Sequence, residues 1–130
     1  MGLELISVIV KDYDEAISYF VDVMGCVVED DSPSLDGDGQ PKRWVVIRPP
    51  GVGSGILLAQ ARGEEQESLI GRQFAGRVGL FLRVDDFFAA YAHMTNAGVE
   101  FLTEPRTEAY GMVAVFKDLY GNKWDLLGAA

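Results

Sequence analysis

The chain has 130 residues, enough for one compact domain that buries its own core without covalent staples. Twenty acidic against eleven basic residues give a net charge of -9, which repels phosphate backbones and anionic bilayers, so neither nucleic acid nor membrane is an expected partner. A lone cysteine, no visible secretory leader and no apolar run long enough to span a bilayer point to the cytoplasm.

An apolar run from Leu3 to Val10 predicts the first strand. Asp12 or Asp14 then caps a helix whose apolar stripe, Ala16, Ile17, Phe20, Val23 and Met24, ends at Gly25. Cys26, followed by Val27 and Val28, is expected as a small buried residue rather than a reactive thiol. Three strand candidates follow: Cys26–Glu29, Trp44–Arg48 and Ile56–Gln60. The acids Glu29, Asp30, Asp31, Asp36 and Asp38 read as solvated loop. Asp36-Gly-Asp-Gly39 lacks the full oxygen spacing and the closing Glu of a calcium loop and is expected as a turn, as is Pro49-Pro-Gly51. Arg62 to Gly76 is a polar, acidic linker with at most a short helix around Glu65 to Ile70.

The plan then repeats. Val10-Lys-Asp-Tyr-Asp-Glu-Ala16 matches Val84-Asp-Asp-Phe-Phe-Ala-Ala90 in its Val, Asp, aromatic and Ala positions. A strand from Val78 to Val84 leads to a helix capped by Asp86, with a face of Phe87, Phe88, Tyr91 and Met94, stopped by Gly98. Val99–Thr103, Met112–Phe116 and Trp124–Leu127 complete the second set of strands. His93, the single imidazole, falls roughly opposite Tyr91 and Met94 on the helical wheel and is expected in solvent. The fold class is therefore α+β: a β-α-β-β-β module over residues 3–61, a linker over 62–76 and a second module over 77–128, together one domain over 1–130. Neither half is large enough for a core of its own, so the two sheets are expected to pair into one curved mixed sheet with helices on the convex side and an open cup within.

This duplicated plan, with V-x-D-hydrophobic-x-x-A opening each helix and a D-x-x-G-N-x-x-(acid)-L hairpin from Asp118 to Leu126, resembles the vicinal oxygen chelate superfamily of glyoxalase I, extradiol dioxygenases, fosfomycin-resistance enzymes and bleomycin-binding proteins. The likeness runs from Leu3 to Leu127. It implies paired modules, often a homodimer, and sites in the cups. In metal-using members, ligands lie on the first and last strands of each module, positions that fall here on Leu5, Leu57, Gly79 and Asp125. Three of these four carry no donor atom, so no metal and no cofactor is expected; an atypical site assembled from loop carboxylates stays open as the alternative.

Period-two alternation places Leu5, Ser7, Ile9, Gly79, Phe81 and Arg83 in the cup if Asp125 and Leu127 face it. The β-branched Val45 and Ile47 suit the helix side, which leaves Trp44, Val46 and Arg48 inward; the same reasoning turns Met112, Ala114 and Phe116 inward against Val113 and Val115. The candidate ligand-binding set is Ser7, Trp44, Arg48, Phe81, Arg83, Tyr110, Met112, Phe116 and Asp125, with Asp125 the candidate catalytic group. The plainer alternative is that Trp44, Phe81 and Phe116 fill a seam between sheet halves. Arg48 or Arg83 is the expected partner of Asp125, and the segment Pro105–Gly111, with Arg106 and Tyr110, either covers a ligand or forms a surface turn. The expected function is metal-independent binding of a small, cationic or aromatic molecule by a homodimer. The alternatives are a lyase or isomerase using Asp125 as base, a dioxygenase-like enzyme with Asp125 in an atypical metal site, and an accessory subunit.

Overall fold

A computed structural model describes residues 1–35, 39 and 41–130, and the chain divides into two compact units, Met1–Ile70 and Gly71–Ala130. The fold is α+β, with one mixed sheet in each unit. Apart from Gly39, the expected turn at Asp36-Gly-Asp-Gly39 lies outside the described residues.

The first unit holds β1 (Leu5–Val10), α1 (Tyr13–Asp22), β2 (Val27–Leu35), β3 (Pro41–Arg48), β4 (Gly55–Gln60) and the short α2 (Gly63–Ser68). Its sheet runs β1-β4-β3-β2, with β1 parallel to β4 and the other pairs antiparallel. Register sets Val8 and Val45 beside Leu58, and Ile6 and Ile47 beside Ile56, so one face is a continuous aliphatic layer. Helix α1 lies against β2, β3 and β4 and contributes Tyr13, Ala16 and Phe20 to the core. Each fully buried Val, Ile or Phe in such a layer contributes about 1.5–3 kcal/mol.

Asp12 is the cap, its carboxylate accepting from Glu15 N–H at 2.7 Å. Asp14 instead meets the Arg43 guanidinium at 2.9 Å. Strand β2 is longer than expected and carries the acidic stretch: its pairing with β3 continues to Leu35↔Pro41. An edge strand tolerates acids because their charged ends reach water, and one of them, Asp31, is gripped by both arms of Arg43 at 2.7 and 3.1 Å. Cys26 is buried, and desolvation pushes its thiol pKa up to about 12, as suits an inert core residue.

The second unit holds β5 (Val78–Val84), α3 (Phe87–Asn96), β6 (Glu100–Phe101), β7 (Arg106–Glu108), β8 (Gly111–Lys117) and β9 (Lys123–Gly128). The order is β5-β9-β8-β6, with β7 also on β8 and β5 parallel to β9. Asp86 caps α3 through Ala89 N–H at 3.1 Å. At the other end Val99 N–H reaches Met94 C=O and Gly98 N–H reaches Thr95 C=O, both at 3.0 Å, a closure that needs the φ of +91° that Gly98 adopts. His93 is exposed, as its wheel position predicts. Rings from α3 to the sheet form one chain, Tyr91–Phe101–Phe116–Trp124, with centroid spacings of 4.4, 5.6 and 5.8 Å. Strand β7 is an addition to the expected plan: the segment before Gly111 folds back on β8 as a hairpin instead of a free loop. Among the described residues no helix is long and apolar enough to cross a membrane.

The turn between β8 and β9 is built on Asp118. One carboxylate oxygen accepts from the backbone N–H of Tyr120, Gly121 and Asn122 at 3.0, 3.1 and 3.0 Å, and the other accepts from Trp124 Nε1–H at 3.0 Å. A buried acid thus closes the hairpin and fixes the register Lys117↔Lys123, Phe116↔Trp124 and Val115↔Asp125.

Candidate functional site

Asp125 interrupts an otherwise apolar strand because alternate residues of β9 face opposite ways. Trp124 and Leu126 are buried on the face that carries α3, while Asp125 and Leu127 point away from it. The parallel register with β5 sets Phe81 beside Asp125 and Arg83 beside Leu127. Phe81 is 62% exposed, a large apolar ring presented next to the carboxylate.

Strand β8 corrects the alternation expected for it. Phe116 lies opposite Trp124 and Ala114 opposite Leu126, so Met112, Ala114 and Phe116 share the helix face, and Val113 and Val115 share the face of Asp125. Phe116 is fully buried in the ring chain, and Met112 is buried with its sulfur accepting from the Thr107 hydroxyl at 3.3 Å. Neither candidate stands beside Asp125. The physical reason is volume: valine fits either face of a strand, whereas a phenylalanine goes where the wide space under a helix lies.

The carboxylate itself is under strain of solvation. Asp125 Oδ1 is shut from water and has no hydrogen-bond partner among the described residues. Burial therefore raises its pKa above the usual Asp value, with the charge of Arg106 opposing the shift. The expected partners are otherwise placed. Arg48 belongs to the first unit, where it holds Glu29 at 2.5 Å and the Gly53 carbonyl at 2.5 Å. Arg83 is exposed. Arg106, on β7, is the cation that acts on Asp125, yet its guanidinium is bonded to Glu108 at 2.7 Å. The sequence leaves Arg106 either over a ligand or on a surface turn and does not pair it with the acid, since nothing in Pro105–Gly111 announces a strand. Tyr110, 55% exposed, sits at the tip of the same hairpin.

The residues do not fit a divalent ion. Leu5 and Leu57 offer hydrocarbon, and among the described residues no group of three or more His, Cys, Asp or Glu side chains is placed to hold a metal. Gly79 is more than an absent donor. It stands at a break in the β5–β9 register, and a Cβ built there would lie 2.1 Å from the ring of Phe74. The space a ligating side chain needs at that position is filled by an aromatic ring.

In the first unit the face away from α1 carries Ser7 beside Leu57, then Val46, Trp44 and Arg48. Val45 and Ile47 are fully buried on the other side, as their branching predicts. Trp44 is 41% exposed. A cavity of about 400 Å³ opens beside it, bounded by Tyr13, Lys42, Leu57, Ala59 and Gln66.

Over residues 2–126 the sequence matches the family model described as Glyoxalase/Bleomycin resistance protein/Dioxygenase superfamily. It is 47% identical over 123 residues to an uncharacterized protein of Shewanella frigidimarina (strain NCIMB 400), covering 94% of this chain and 89% of that one. Among solved structures it is similar to TnmS3, an antibiotic binding protein from Streptomyces sp. CB03234, with a TM-score of 0.77, 26% identity and coverage of 100% and 97%. UcmS2 is similar to the same degree, with a TM-score of 0.77, 26% identity and coverage of 98% and 97%.

Proposed function

Because the chain belongs to the Glyoxalase/Bleomycin resistance protein/Dioxygenase superfamily, we propose that it binds a small organic molecule without a metal ion, sequestering or carrying it. The observation that carries this reading is the unpartnered, desolvated oxygen of Asp125 beside the exposed Phe81 ring. A buried acceptor left without a donor costs about 1–3 kcal/mol, a cost that a ligand N–H or ammonium group removes on binding. Phe81 supplies aromatic surface next to it, so the guest has an apolar or aromatic body and a hydrogen-bond donor or cationic nitrogen. That TnmS3 is an antibiotic binding protein supports a binding role for this scaffold. The protein acts as a homodimer in the cytoplasm on this reading, as relatives of its plan often pair.

A second reading has its own support. A carboxylate whose pKa is raised by burial, with one oxygen free of bonds, is also suited to proton abstraction, which favours a lyase or isomerase using Asp125 as base. Thermal unfolding with 1-naphthylmethylammonium, and separately with Mg²⁺, Mn²⁺, Zn²⁺ and Ni²⁺, tests the binding proposal. The aromatic ammonium is expected to raise Tm in the wild type and not in Asp125→Ala. Stoichiometric retention of a divalent ion that is lost in Asp125→Ala, or no response to the ammonium, overturns it.

A further inference from the structure

We propose that the wedge between β3 and β4 in the first unit is a second binding site, selective for an organic anion with a flat aromatic body. It lies on a different unit from Asp125 and takes the opposite charge, so it stands or falls independently of that carboxylate.

The wedge arises from pairing that stops early. Strand β3 begins at Pro41 and β4 continues to Gln60, yet the two are joined only from Val45↔Leu58 to Ile47↔Ile56. Before Val45, β3 stays paired with β2 along its whole length. A two-stranded ribbon twists more strongly than a wide sheet, and the β2–β3 ribbon therefore parts from β4. The gap is the cavity of about 400 Å³, with α2 residue Gln66 at its rim.

Its chemistry departs from that of the whole chain. Twenty acidic residues give the protein its charge of -9, but among the described residues none of them lines this cavity, whereas Lys42, Arg43 and Arg62 all do. Several lining groups are fixed by internal bonds, among them the Arg62 guanidinium, which donates to the Pro41 carbonyl. Arg43 is held between Asp14 and Asp31 and lies over the Tyr13 ring, 5.1 Å from its centroid. Gln66 accepts from Arg62 N–H at 2.9 Å. Lys42 differs: among the described residues its ammonium has no carboxylate partner. Trp44 differs as well, its ring half-exposed and in contact with no other ring among the described residues.

Lys42 and Trp44 are two residues apart on one strand, so they project from the same face with their Cα atoms about 7 Å apart. A planar ring stacked on Trp44 thus carries a carboxylate to the Lys42 ammonium without spanning the sheet. Leu57 and the small Ala59 floor the space beside the indole, which leaves depth for a two-ring body. Pairing an anion with Lys42 costs little, because that ammonium gives up water and no protein partner.

The probes are 2-naphthoate and its neutral isostere 2-naphthamide, titrated against the full chain by tryptophan fluorescence and by amide NMR shifts. Naphthoate is expected to saturate, quench Trp44 and shift amides of residues 42–44 and 57–60, while naphthamide binds about tenfold or more weakly, as loss of one charge-assisted hydrogen bond requires. Lys42→Arg keeps the affinity; Lys42→Gln lowers it about tenfold and Lys42→Glu lowers it further, with folding checked by Tm. Lys42 is half-buried where β3 has parted from β4, and it holds no carboxylate among the described residues, so these variants are expected to fold as the wild type does. The proposal is overturned if Lys42→Glu binds naphthoate as tightly as the wild type does. It is equally overturned if the amide binds as well as the acid, if shifts cluster on β5 and β9, or if no saturable binding occurs. Failure here with the aromatic ammonium still binding leaves the Asp125 reading intact, and the reverse outcome removes only that reading.

Discussion

Replacing Asp118 by alanine removes an acceptor from four donors at once. Gly121 N–H keeps a second acceptor in the Asp118 carbonyl at 3.0 Å, and Tyr120 lies at the rim of the turn, where water can take over. Asn122 N–H and Trp124 Nε1–H lie on residues that are each 2% exposed, where water does not take over. At about 1–3 kcal/mol for each stranded buried donor, Asp118→Ala costs about 2–6 kcal/mol. Asp118→Asn retains one oxygen for the three backbone donors and turns an NH₂ toward the indole, so its cost is about 1–3 kcal/mol. Urea unfolding followed by far-UV circular dichroism measures both, as a fall in midpoint at constant m-value. Adding Trp124→Phe to each background closes a double-mutant cycle, and the coupling with Asp118 is expected at about 1 kcal/mol or more. A loss below about 1 kcal/mol for Asp118→Ala, or Asp118→Asn as damaging as alanine, refutes the view that this carboxylate closes the hairpin.

Burial raises the pKa of Asp125, so the folded chain keeps that proton at pH values where the unfolded chain has released it. The stability this group contributes is full below the ordinary carboxylate pKa and is lost as pH rises through the raised one; Asp125→Asn should therefore gain on wild type as pH rises above the ordinary carboxylate range, and a flat or falling difference in unfolding free energy refutes the assignment. Gly71 has a φ of +74°, and a Cβ there would lie 1.9 Å from the Tyr120 carbonyl oxygen, so Gly71→Ala should lower stability by about 3 kcal/mol or more, read from the same urea titration. With its thiol pushed up to about 12 and buried, Cys26 should resist a thiol-specific disulfide reagent in the native protein and react at once in urea; rapid native labelling contradicts its placement.

What sequence could show follows from period and volume. The aliphatic alternation of β1 and β3, the Asp caps and the Gly98 stop are local signals, and Val45, Ile47, Trp124 and Leu126 lie on the side their neighbours predict. Strand β8 misled because Met, Ala and Phe alternate with Val there, and neither set is polar enough to mark an outward face. Asp125 drew the eye as an acid in an apolar strand, whereas Asp118, with more bonds, looked like an ordinary turn residue; the following Gly121-Asn122 was the available clue to an Asx turn. The contact of Phe74 with Gly79 was not legible, since a ring in an irregular segment has no periodicity to say where it packs. Arg106 was missed as the neighbour of Asp125 for a related reason: three residues of strand are too few to leave a pattern.

The ring over Gly79 also bears on what this scaffold can be converted into. A histidine grafted at 79 collides with Phe74, and trimming Phe74 alone opens a hole, so either single step is penalised before any ion is gained. Metal competence on the second module is thus reached only by paired substitution, and libraries that vary one position at a time will report the route as closed.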